Sequence, residues 1–97
     1  MELAWSLTAE AYLDQLSSIE RARVLRAVAQ LQSGWSRLEG SELRRLAGEH
    51  DNLFSLRAGS DIRVLVRRNA EVVTVVDVVR RSQIEGLRRI ASPVASG

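Results

Sequence analysis

The sequence predicts an α+β domain in which a helical hairpin packs on a small, mainly antiparallel sheet, followed by a short C-terminal helix. Three observations carry that prediction. Between Asn52 and Arg81, three apolar β-branched runs are separated by a Gly59-Ser60-Asp61 turn and an Asn69-Ala70 turn, the pattern of an antiparallel meander. Upstream, Ser17-Ser18-Ile19-Glu20 has the S-x-x-E form that opens a helix, between two segments with apolar residues at helical spacing. The chain of 97 residues is long enough for one domain with a single modest core, and too short for two.

Taken in order, Glu2 to Leu7 alternates, with Leu3, Trp5 and Leu7 on one side, and reads as a short strand added at the edge of the sheet. Thr8 is positioned to cap a first helix over 9–16, whose Leu13 and Leu16 lie three apart with Ala9 and Tyr12 on the adjoining strip. The S-x-x-E box starts a second helix over 18–33. There Val24, Leu25, Ala27, Val28 and Leu31 form the apolar stripe, and Arg21, Arg23, Arg26 and Gln30 are left to water or a partner. Gly34 ends it. Residues 35–40 read as a connector, and Glu42 to Ala47 as one more helical turn anchored by Leu43 and Leu46 with Arg44 and Arg45 exposed. Gly48-Glu49-His50-Asp51 is a polar loop into the meander.

Alternation assigns the faces of the meander. Phe54, Leu56, Ile62, Val64 and Val66 are expected toward the helices, and Ser55, Arg57, Arg63, Leu65 and Arg67 on the opposite face. The last strand is apolar on both sides. Placing Val72, Val76 and Val78 inward sends Val73, Val75 and Asp77 outward, with Arg81 emerging beside Arg63. Ser82 then caps a short helix with Ile84, Leu87 and Ile90 on one strip, weakened by Gly86. The domain is expected to span 1–91, and the small, Pro-interrupted 92–97 to be a disordered tail.

Composition narrows the chemistry. There is no cysteine and a single histidine, His50, so disulfides, thiolate metal sites and imidazole clusters are not expected, nor is any cofactor. No apolar run approaches the roughly 20 residues of a membrane span, and the N-terminus lacks a signal-peptide pattern, so a cytoplasmic protein is expected. All fourteen basic side chains are arginine, which gives a pI near 10.4 at a formal charge of only +2. Residues 1–42 hold four arginines against six acids, and residues 43–97 hold ten against six. The basic half is the half with the meander. Either a solvated surface or a polyanionic partner accounts for that asymmetry. No phosphate-binding loop, nucleophile elbow or pair of sheet aromatics for base stacking is present.

Leu46-Ala47-Gly48, Leu56 to Arg63 (LRAGSDIR) and the apolar run from Val75 to the basic pair Arg80-Arg81 resemble the corresponding segments of the RelE/ParE toxin superfamily. The resemblance covers residues 2–90, with a turn between Arg57 and Arg63 one residue longer than usual. It implies the toxin half of a bacterial toxin–antitoxin pair, bound by a partly disordered cognate antitoxin in a hetero-oligomer. Such toxins are either ribosome-dependent mRNA endoribonucleases, with ribosome and mRNA as partners, or non-catalytic inhibitors of DNA gyrase. An inactive homologue that retains antitoxin binding is a further alternative.

Cleavage of RNA through its 2′-hydroxyl needs a base, cations for the dianionic phosphorane and an acid for the leaving 5′ oxygen. The resemblance places Arg63 and Arg81 in the cationic role. Arg57, Arg67, Arg80, Arg44 and Arg45 are further candidates for phosphate contact, since a guanidinium binds phosphate oxygens bidentately. The lysines and tyrosine used by RelE-like enzymes are replaced here, by Leu53, Ser55 and either Glu85 or Leu87. His50, Glu49, Asp51 and Glu85 are the titratable groups that remain, with His50 and Glu85 the candidates for proton transfer. Pairing of the arginines with Asp61, Asp77 or Glu85 is the purely structural alternative.

Overall fold

The structure, a computed structural model, describes residues 1–46 and 52–83. In chain order these form β1 (Glu2–Trp5), α1 (Leu7–Gln15), α2 (Ser18–Ser33), α3 (Trp35–Leu38), β2 (Leu43–Arg45), β3 (Leu53–Ala58), β4 (Ile62–Asn69) and β5 (Val72–Arg80). The five strands make one sheet in the order β1-β5-β4-β3-β2, with β1 parallel to β5 and every other pair antiparallel. This is the expected α+β arrangement of helices on a mainly antiparallel sheet. No helix among the described residues is long and apolar enough to cross a membrane.

The core lies between the helices and one sheet face. Val24, Ala27, Val28 and Leu31 of α2 and Ala9 of α1 meet Phe54, Leu56, Val64, Val66, Val73, Val75 and Val78. Leu25, assigned to this stripe from the sequence, is exposed instead, because a stripe that includes it is wider than the contact. Leu3 and Trp5 of β1 pack at the core margin, as alternation predicts.

Local chemistry fixes the helix ends. Ser6, rather than Thr8, caps α1: its hydroxyl accepts the Ala9 N–H at 3.0 Å and donates to the Val76 carbonyl at 2.6 Å. That second bond ties the cap to β5, an advantage Thr8 does not have. The box of Ser17 and Glu20 forms as read, with both reciprocal hydrogen bonds. Arg21, expected to face outward, donates to the Leu13, Asp14 and Leu16 carbonyls and so satisfies the carbonyl end of α1.

Two corrections concern the sheet. The helical turn expected over 42–47 is not formed by its described residues, 42–46: Leu43–Arg45 is the edge strand β2, paired with β3. The i, i+3 leucines that suggested a helix are placed on opposite faces, Leu43 in the core and Leu46 outside it. Second, β5 carries a bulge. Leu65 pairs with Asp77 but Val66 with Val75, leaving Val76 as the extra residue. Val73 and Val75 therefore point inward with Val78, whereas Val72 points outward, reversing the expected parity in the first half of the strand.

Beyond β5, residues 81–83 begin a helical turn. Ser82 does not open it. The Gln83 carboxamide accepts the Arg80 N–H at 2.8 Å, one half of a capping box. The loop around His50 and the helix strip of Ile84, Leu87 and Ile90 lie outside the described residues, as does the 92–97 tail.

Candidate nucleic-acid interface

Alternation along β3 and β4 sends Arg57, Arg63 and Arg67 to the sheet face away from the helices, with Ser55 and Leu65. Arg57 and Arg63 stand directly opposite each other. The Arg57 N–H bonds the Glu42 carbonyl at 2.8 Å, away from β4. The two arginines therefore form a non-hydrogen-bonded pair, the type that brings facing side chains closest, with Cα atoms about 4.5 Å apart. Like charges in that position repel.

Neither arginine forms an ion pair among the described residues. Arg57 Nε donates to the Gly59 carbonyl at 3.3 Å, and Arg63 Nη1 to the same carbonyl at 3.2 Å and to that of Ile62 at 3.0 Å. The turn holds both guanidiniums without neutralising them. Gly59 has φ +91°, and a Cβ there would also come within 3.3 Å of Arg23 Cδ from α2, so only glycine suits the position.

Burial lowers the Arg63 pKa from its ordinary value, and the charges of Arg57 and Arg81 lower it further against the opposing pull of Asp61 and Glu42. Arg63 still remains protonated at physiological pH. Its sensitivity to both neighbours shows that Arg57, Arg63 and Arg81 share one field. Arg81 is held there through its backbone, whose N–H bonds the Asp61 carbonyl at 2.6 Å.

The seven arginines singled out from the sequence thus divide. Arg57, Arg63 and Arg81 come together. Arg67 lies on the same face further along β4, and Arg44 opposite Ser55. Arg45 and Arg80 are on the helix side. The Arg45 guanidinium sits 5.5 Å from the Phe54 ring centre. Arg80 Nη1 bonds Asp61 at 2.8 Å and Glu20 at 3.1 Å. Those bonds raise the Arg80 pKa and lower that of Glu20. His50 and Glu85 lie outside the described residues.

The structure adds one carboxylate to this face. Glu42 continues the β2 register opposite Arg57, and its charge is felt at Arg63. Reading 42–47 as helical concealed it. The alternation of Glu42-Leu43-Arg44, read as a strand, is the signal that would have found it. Asp77, facing Leu65, is also on this side, with Oδ1 accepting the Val78 N–H at 2.8 Å beside the bulge.

By sequence, no protein-family model and no curated protein matches the chain. By structure, helices backing one face of a five-stranded sheet give the fold of the RelE/ParE toxin superfamily. The YoeB/ParE toxin from Agrobacterium tumefaciens superposes with a TM-score of 0.67 at 14% identity, covering 84% of this chain and 99% of that one. A chain of the toxin–antitoxin complex RelBE2 from Mycobacterium tuberculosis gives 0.66 at 25% identity, over 82% and 96% of the two chains. The RelB–RelE antitoxin–toxin complex from Methanococcus jannaschii gives 0.68 at 18%, over 87% and 96%.

Proposed function

We propose that this chain is the toxin of a type II toxin–antitoxin pair and that it cleaves mRNA on the ribosome through the face of Arg57, Arg63 and Arg81. One observation supports this above the others: two arginines are opposed across β3 and β4 with backbone carbonyls as their hydrogen-bond acceptors. That arrangement works against folding and in favour of an anionic ligand.

In this reading Arg63 and Arg81 bind the phosphoryl oxygens and stabilise the charge that builds as the 2′-oxygen attacks, with Arg57 assisting. Of the two described carboxylates on this face, Glu42, opposite Arg57, is the one assigned to remove the 2′ proton, since Asp77 Oδ1 accepts the Val78 N–H. Of the sequence's two candidates for proton transfer, His50 is assigned here to protonate the 5′ oxygen, and Glu85 stands as an alternative base. The cognate antitoxin is an acidic segment that orders on binding and covers the arginines.

Arg63→Ala and Arg81→Ala, expressed without antitoxin, should relieve growth arrest and reduce mRNA cleavage by about 100-fold or more, judged from the loss of one transition-state donor. Undiminished arrest and cleavage in both variants would end the catalytic assignment. A gyrase-inhibiting toxin is the second reading, favoured by the complete lack of lysine in the chain. Supercoiling inhibition without primer-extension stops on translated mRNA would select it.

A further inference from the structure

The Arg80 contacts point to a role beyond stapling. Asp61 lies two residues from Arg63 and its charge already reaches that guanidinium. Arg63 folds back on the carbonyls of Gly59, two residues before Asp61, and of Ile62, the residue after it. Asp61 is thus the acid best placed to neutralise the cluster. Yet its carboxylate is turned to the helix side, where Arg80 Nη1 holds it at 2.8 Å and also binds Glu20 at 3.1 Å.

We propose that Arg80 is a positioning residue that keeps Asp61 off Arg63 and so leaves the arginine face open to an anion. Arg80 contacts no ligand itself in this scheme; it acts through Asp61. Glu20 anchors Arg80 from the first turn of α2, and the Arg81 N–H to Asp61 carbonyl bond fixes the turn against the end of β5. Without Arg80, Asp61 swings to the outer face and pairs with Arg63. The inference rests on the reading of that face as an RNA site, but its geometric part is measurable without RNA.

The test uses the full chain and a short single-stranded RNA oligonucleotide. Arg80→Gln should weaken binding about fivefold to tenfold, the cost of one neutralised phosphate contact. The salt dependence should fall by about 0.7 in slope. Adding Asp61→Asn should restore binding, whereas adding Glu20→Gln should not. Arg80→Lys, which keeps a cation against Asp61, should bind like wild type and covers the case in which Arg80→Gln folds poorly.

The Arg63 side-chain Nε–H resonance provides the RNA-independent reading. It should move downfield in Arg80→Gln and return in Arg80→Gln/Asp61→Asn. An unmoved resonance, rescue by Glu20→Gln equal to that by Asp61→Asn, or weak binding in Arg80→Lys that Asp61→Asn leaves unrestored would each overturn the proposal. If wild type fails to bind RNA, or Arg57→Ala and Arg63→Ala bind as well as wild type, the RNA reading fails while the resonance still decides the role of Arg80.

Discussion

The two faces of the sheet use the same residue type in opposite ways. On the helix side Arg68 lies 4.7 Å over the Trp35 ring, Arg45 lies over Phe54, and Arg80 joins two carboxylates. Each of these guanidiniums has a ring or an acid as its partner. On the open side Arg57 and Arg63 share one backbone carbonyl and face each other. Arginine count alone says little about function, and the partner of each guanidinium says more.

The largest effect should come from the helix side. Trp35 is buried, packs T-shaped with the Phe54 ring at 4.9 Å between centroids, and has the Arg68 guanidinium over its ring. Trp35→Ala should cost about 3–5 kcal/mol in chemical denaturation, from the cavity together with the lost ring and cation contacts. A loss as small as that of a surface substitution would mean that this aromatic stack does not organise its side.

A smaller, pH-dependent effect should mark the Arg80 pair. The Arg80 bond lowers the Glu20 pKa first, with the Ser17 backbone bond second. A carboxylate with a depressed folded pKa stabilises the fold above its unfolded pKa and loses that contribution as pH falls through the folded value. The stability gap between wild type and Glu20→Gln should therefore be open at neutral pH and close progressively below about pH 4.5. Thermal melts across that range check it; a gap that persists in acid would assign the effect to packing.

The smallest effect should have the opposite sign. Arg57→Gln removes one of two facing charges and should leave stability unchanged or raise it by a few tenths of a kcal/mol, on the order of a cross-strand pair term. Added salt, which screens the repulsion, should stabilise wild type more than this variant. Destabilisation by Arg57→Gln would show that the open-face arginines also support the fold.

Much of this contrast was legible in the sequence, because Phe54-Ser55-Leu56-Arg57 and Ile62-Arg63-Val64-Leu65-Val66 alternate cleanly and a pleated strand turns alternation into faces. β5 was not, since a valine-rich strand has no polar face to report its parity and a bulge leaves no local trace. β2 was misread because three residues are too few to show a period, while Leu43 and Leu46 imitate one. Arg80 with Glu20 is a contact across 60 residues, which no local pattern encodes. At the site, the convergence of Arg57, Arg63 and Arg81 followed from strand parity, whereas Glu42 depended on identifying β2.

The extra residue at Val76, pinned by Ser6, carries a consequence for how this chain can vary. Upstream of it the odd-numbered valines of β5 line the interior; downstream the even-numbered positions do, and Arg81, whose charge is felt at Arg63, follows directly after the strand. Deleting that one codon would keep every other residue and preserve β-propensity throughout. It would nonetheless make the strand choose between burying its valines and delivering its terminal arginine, so insertions and deletions here should be far less tolerated than substitutions.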